Sequence, residues 1–212
     1  MKLFKRYLAL VVSVMVTGLG AAMSLKAAIG VGPWDALAQS LSYITLIKVG
    51  TVGMILNILC IFGQMILQKK DFKLISLLQF PIGILNGMWI NYLYYDVLGP
   101  IPIESYGLRV VMFVVAILLI ASSISFMMEL NIVSFSLEAF CLALAEKYQL
   151  RFAHLRQLGD VLFVLISIAL TLIFRVPFTL REGSILIALS FGPLLSFFMP
   201  KMEKILVKLD SI

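Results

Sequence analysis

Six apolar runs dictate the solvent of this chain. They cover residues 7–25, 49–68, 74–95, 108–128, 160–174 and 183–199. A helix needs about 20 such residues to cross the hydrocarbon core of a bilayer. The fifth run is short, and the stretch 154–159 just before it supplies the missing turns. Of the 212 residues 62% are apolar and 13% charged, whereas soluble domains are nearer half apolar and a quarter charged. Lipid as solvent removes the need to hide that surface. The expected fold class is all-α, a polytopic membrane protein of about six transmembrane helices in one membrane domain, residues 1–212. No polar stretch is long enough for a soluble catalytic domain.

The net charge of +6 would suggest nucleic acid in a soluble protein. Here the basic residues flank apolar runs, so the expected partner is the lipid bilayer. With the N-terminus inside, Lys26, Lys48, Arg109, Arg175 and Arg181 fall outside and the other 12 of the 17 Lys and Arg fall inside. That bias is the positive-inside pattern. It predicts both termini and the tail 201–212 in the cytoplasm. Residues 7–25 exceed a usual signal-peptide core, so they read as a retained helix. Cys60 and Cys141 lie in apolar runs at no metal-site spacing and read as reduced packing residues. His154 is the only histidine and carries no role. No phosphate loop, nucleophile elbow or metal-ligand cluster is present, and no cofactor is expected.

Two further segments, residues 33–44 and 134–148, are helical in pattern and too short or polar to span. The first opens with Gly30-Val31-Gly32-Pro33-Trp34-Asp35-Ala36-Leu37. Gly30 and Gly32 permit sharp, backbone-close turns, Pro33 suits the first turn of a helix, and Trp34 suits an interface. A short helix starting there directs free N–H groups and a positive dipole end into whatever lies before it. The run therefore reads either as a substrate or ion site or as an interfacial helix in a structured loop.

Sliding the chain by 103 residues lays Asp35-Ala36-Leu37 on Glu138-Ala139-Phe140, Lys48 on Arg151 and Asn57 on Asp160, and Gly18 and Gly20 on Ala121 and Ser123. A further shift of two lays Gly87 on Gly192. Residues 7–97 and 108–200 then form two repeats, each a helix, a short segment and two helices. Three crossings per repeat put the second repeat upside down, the inverted architecture common in transporters.

The Gly30–Leu37 run, preceded by Thr17-Gly18-Leu19-Gly20-Ala21-Ala22, resembles the YczE/YyaS/YitT family of bacterial membrane proteins. Arg156 and Asp160 four apart, and Gly192-Pro193, fit that pattern, and the similarity runs over about residues 8–198. The resemblance implies a polytopic protein of the bacterial cytoplasmic membrane involved in transport, with no settled substrate. The second half departs from the pattern. Asn131-Ile132-Val133-Ser134-Phe135-Ser136 stands where a glycine-rich turn is expected.

Asp35 and Glu138 are equivalent acids on the two short segments, and acids in a membrane face a cavity or a partner. As a pair they suit a cation or a proton relay; otherwise they sit wet at interfaces. Arg156 and Asp160 share a helix face, as a coupling pair, a clamp or a plain bridge at the helix end. Asn57 needs a hydrogen-bond partner across helices. Arg181-Glu182-Gly183-Ser184 reads as an anion site or a capped helix start. Pro81 and Pro193 invite kinks inside the third and sixth spans.

The candidate binding residues are Gly30, Gly32, Pro33, Trp34, Asp35, Asn57, Glu138, Arg156 and Asp160. The expected function is a small transporter or exporter of an unidentified solute or ion, working by alternating access as one repeat rocks against the other. It is not expected to be an enzyme; an intramembrane lipid enzyme would need convergent acids or a nucleophile in one pocket. The rival reading is a non-transporting accessory of another membrane complex. A homo-oligomer is compatible with either, and nucleic acid with neither.

Overall fold

The computed structural model describes residues 3–210; Lys2, counted in the charge bias, and the last two residues of the tail lie outside them. The described residues form α1 (Leu3–Ala27), α2 (Pro33–Thr45), α3 (Val49–Gln68), α4 (Gln79–Asn91), α5 (Tyr106–Leu130), α6 (Ser136–Tyr148), α7 (Phe152–Phe174) and α8 (Glu182–Asp210), with no strand among them. A 3-10 stretch, Leu74–Leu78, leads into α4, and a π-helical stretch, Tyr92–Val97, extends it. Six helices are long and apolar enough to cross a membrane: α1, α3, α4 with its extensions, α5, α7 and α8. The chain is a multi-pass membrane protein. At 13 residues each, α2 and α6 span only about 20 Å, short of the hydrocarbon thickness.

The fifth span starts at Phe152, so the stretch 154–159 supplies the turns the short apolar run lacked, as expected, and His154 lies in its first turn. Two other sequence expectations shift. The last helix does not stop at 199. It runs through Pro193 and Pro200 to Asp210. Pro81 is no mid-span kink. It is the third residue of α4, behind the 3-10 stretch, where its missing N–H is cheapest.

The element bounds recur 103 residues apart. Leu3–Ala27 maps onto Tyr106–Leu130, Pro33–Thr45 onto Ser136–Tyr148, and the starts of α3 and α4 onto those of α7 and α8. Backbone specials recur at the same offset: Ala28 (φ 53) and Asn131 (φ 46) end α1 and α5, and Leu46 (φ 60) and Gln149 (φ 54) end α2 and α6. Gly32 (φ −62, ψ 158) and Phe135 (φ −59, ψ 152) open the two short helices alike. The glycine-poor second turn thus reproduces both ends of the first. It departs at Gly30, whose φ is 146.

The chain divides into two compact units, each drawing on both halves. The first comprises residues 1–31, 89–132 and 181–212, hence α1, the end of α4, α5 and α8. Gly20 lets α1 and α5 approach closely, since a Cβ there would meet Ile120 at 2.6 Å and the Ala116 carbonyl at 2.9 Å. Thr17 and Ser123 share a buried hydrogen bond of 2.8 Å across the same seam. The Trp89 indole donates to the Met15 carbonyl at 3.0 Å, and Arg6 donates to the Leu130 carbonyl at 3.0 Å, capping α5.

The second unit comprises residues 32–88 and 133–180, hence α2, α3, most of α4, α6 and α7. Here α2 packs on α7 and α3, and α6 packs on α3 and α7. Gly63 admits the Phe140 ring, 2.6 Å from where its Cβ would stand. Gly87 brings α4 against the Gly50 carbonyl of α3, 2.5 Å from its Cβ position.

Candidate functional site

The turn before α2 is fixed by the first unit. Gly30 needs its glycine twice, for a φ of 146 and because a Cβ would stand 2.5 Å from the Ser184 backbone nitrogen. Gly183 N–H donates to the Ile29 carbonyl at 3.1 Å. Val31 N–H donates to the Ser184 hydroxyl at 3.1 Å, and the Arg181 guanidinium donates to the Ala28 carbonyl at 2.8 Å. The Arg181–Ser184 segment is therefore a capped helix start that clamps the turn, and its donors serve the protein itself. Gly32 does not make a sharp turn. Its φ of −62 suits any residue, and the nearest atom to a Cβ there is the Asp35 carboxylate oxygen at 3.9 Å. Pro33 takes the first helical position, as expected.

Beyond Gly32 the chain enters the second unit, where the charged candidates gather. Asp35 lies in the first turn of α2 and Glu138 in the first turn of α6, both half-buried. Both short helices pack on α7, which carries Arg156 and Asp160. Arg156 pairs with Asp160 one turn on and reaches Glu138 at 3.6 Å, its side chain 24% exposed. It is thus shared between α6 and α7 and is no plain bridge at a helix end. Burial raises the Asp35 carboxyl to about 6, against the opposing pull of Arg156. Burial likewise raises Glu138, with Arg156 again pulling the other way. Two acids, Glu138 and Asp160, contact Arg156, and Asp35 lies within its electrostatic reach, so acids outnumber the base here.

The Trp34 ring meets Phe163 of α7 edge-on, centroids 5.4 Å apart. Asn57 lies against Gly83 of α4, its Cβ 3.4 Å from where a glycine Cβ would stand. Asp35, Glu138, Arg156 and Asp160 are brought together, Trp34 flanks them on Phe163, and Gly30 belongs to the clamp on α8.

Two polar residues of the second unit were not foreseen. Gln64 and Gln79 are 4% and 2% exposed, and the Gln79 amide donates to Gln64 at 3.0 Å. The signal was present: Asn57, Cys60, Gln64 and Gln68 recur at helical spacing along α3. Cys60 and Cys141 are free thiols. Among the described residues no group of His, Cys, Asp and Glu is placed to hold a metal. A groove of about 520 Å³ lies in the first unit between Lys5, Val12, Ser123 and Met202, and its lining includes none of the charged candidates.

The chain matches the family of unknown function DUF6198 over residues 4–200, and it belongs to that family. No curated protein and no solved structure matches it.

Proposed function

We propose that this member of a family of unknown function is a small transporter of the bacterial cytoplasmic membrane, moving an unidentified solute by alternating access. The observation that carries the reading is the pairing of Arg156 with Glu138 and Asp160 in a multi-pass chain, with Asp35 within electrostatic reach of it. Ionisable groups are costly at membrane depth and mark ion or substrate paths when retained there. An excess of acid over base suits a cation or a proton as the coupled ion. Asp35 is the proton carrier in this reading: a carboxyl raised to about 6 is neutral below that pH and charged above it.

The architecture supports the reading. We take the two halves as inverted repeats, because each contributes three spans and one short helix and their bounds recur at 103 residues. The contacts exchange in the same way, α2 with α7 and α6 with α3. An odd number of spans per half turns the second half over, as in many secondary transporters. The excess of Lys and Arg on one side supports an orientation with both termini in the cytoplasm. The resemblance of the Gly30–Leu37 run to the YczE/YyaS/YitT family points the same way.

The test is flux in proteoliposomes, with and without a pH gradient, over a panel of cationic and neutral metabolites. Asp35→Asn should abolish the gradient-driven part while leaving the protein folded. Equal gradient-driven flux for the wild type and Asp35→Asn would remove Asp35 as the proton carrier, and none for either across the panel favours a non-transporting accessory protein.

A further inference from the structure

The second unit holds a run of amides outside the charged cluster. Gln79, the first residue of α4, donates from Nε2 to Gln64 Oε1 at 3.0 Å, and Gln64 donates from Nε2 to Gln68 Oε1 at 3.3 Å. The Gln79 Oε1 atom is buried without a partner. Buried polar atoms in membrane proteins find protein or water, so this acceptor points to a donor that the protein does not supply. The run has direction. Gln68 ends α3 beside exposed Lys69 and Lys70. One turn from Gln64 in the other direction is Cys60, within electrostatic reach of Glu138 and Cys141. The spacing 57, 60, 64, 68 puts Asn57, Cys60, Gln64 and Gln68 on one face of α3.

We propose that Gln64 and Gln79 line a passage from the basic end of α3 to Glu138 and Arg156 that takes up water when α3 and α4 part. It is closed in this conformation, where both side chains are nearly fully buried, and the Gln79 amide oxygen is the acceptor waiting for that water. A dry clamp between α3 and α4 would need only amides satisfied by each other, and one acceptor here is not. The same register on α7 is different. Phe163 stands where α3 has Cys60, with the Trp34 ring against it, and Ser167 bonds back to its own helix at the Phe163 carbonyl, 2.7 Å away. The passage is therefore one-sided, polar along α3 and filled by aromatic bulk along α7.

The use of the passage rests on the transport reading, while its test does not. In membrane vesicles of a Cys60→Ala/Cys141→Ala background, Gln79→Cys and Gln64→Cys are exposed to a charged, water-borne methanethiosulfonate. Thiolate formation needs water, so both should react at least about tenfold faster than Ile61→Cys on the buried side of α3 and Ile66→Cys on its exposed side. Rates no faster than that of Ile61→Cys overturn the proposal. A Glu138→Cys reporter checks the route: its labelling should fall about tenfold when Gln64→Leu/Gln79→Leu is added, and unchanged labelling removes these amides from the path. Fast labelling in a protein that moves no solute would leave the passage standing and defeat the transport reading instead.

Discussion

The two halves of this chain share a backbone and differ in chemistry. Helix bounds and cap conformations recur at 103 residues, yet α7 carries Arg156 and Asp160 where α3 carries Gly53 and Asn57. At the turn before the short helix, the first half has Gly30 locked on α8 and the second has Val133, whose φ is not positive. Where Trp34 meets Phe163 across the halves, the positions 103 residues away hold Leu137 and Cys60. A repeated fold needs only matching hydrophobic periods and caps. The residues that break the match are those that carry charge, water or a fixed turn, so the site is written in the asymmetries.

The largest test of that asymmetry is at the turn. Gly30→Val forces a β-branched residue into a left-handed φ and against the Ser184 backbone. Strain of this kind costs about 1–3 kcal/mol and overpacking a similar amount. A loss of about 3 kcal/mol, or failure to fold, is expected in thermal unfolding in detergent. Val133→Gly should cost about 1 kcal/mol, the price of chain entropy and a small buried side chain. Equal losses at the two positions would mean that the turns are not distinguished by the clamp.

The next contrast is charge. Arg156→Met leaves Glu138 and Asp160 facing each other without their cation. Removing one partner of a fully buried pair costs about 3–5 kcal/mol, and partial exposure of these side chains, 24–33%, lowers that through screening to about 2 kcal/mol. The equivalent Gly53→Met should change stability by less than about 0.5 kcal/mol, because nothing lies within 4 Å of its Cβ position. Adding Glu138→Gln to Arg156→Met should recover part of the loss in a double-mutant cycle. Strict additivity would show that Glu138 and Arg156 do not interact.

These contrasts mark what the sequence could reveal. Both short helices, all six spans and the charged quartet were legible, because apolar period, length and isolated charges in greasy runs are local signals. The partner of Gly30 was not legible, since Ser184 lies 153 residues away and a glycine pattern does not name what approaches it. The run of α8 through Pro200 was hidden because a proline reads as a stop unless the helix before it can spare the hydrogen bond. Gln64 and Gln79 were overlooked because one amide among apolar residues passes for a tolerated exception. Only their 3.0 Å contact across helices reveals a pair. The two units could not be foreseen, because each takes segments from both halves.

Aromatic bulk on the α7 side gives a smaller effect. Trp34→Leu removes an edge-to-face contact worth about 0.5–1.5 kcal/mol beyond burial. A loss of about 1–2 kcal/mol is expected, with faster labelling by the charged reagent of a Ser167→Cys reporter, one turn beyond Phe163. Leu137→Ala, at the equivalent place on α6, should cost about 2 kcal/mol as a buried leucine and leave that reporter unaffected. A reporter that responds to both substitutions alike would show that Trp34 is packing and no barrier.

The smallest contrast lies at the ends of α1 and α5. Ala28 and Asn131 hold the same left-handed conformation, φ 53 and 46, and both are exposed, so neither side chain gains much from burial. Alanine pays roughly 1–2 kcal/mol to stand there, while asparagine visits the region through its short polar side chain. Glycine pays nothing sterically but loses about 0.5–1 kcal/mol of chain entropy on folding. Ala28→Gly should therefore stabilise the protein by up to about 1 kcal/mol, and Asn131→Gly should leave it within a few tenths. The Arg181 guanidinium bonds only the backbone carbonyl of Ala28, so that bond survives the change. A neutral Ala28→Gly would mean that the clamp on α8, more than the local φ, sets the energy of that turn, and the two helix ends would then be unlike in cause as well as in sequence.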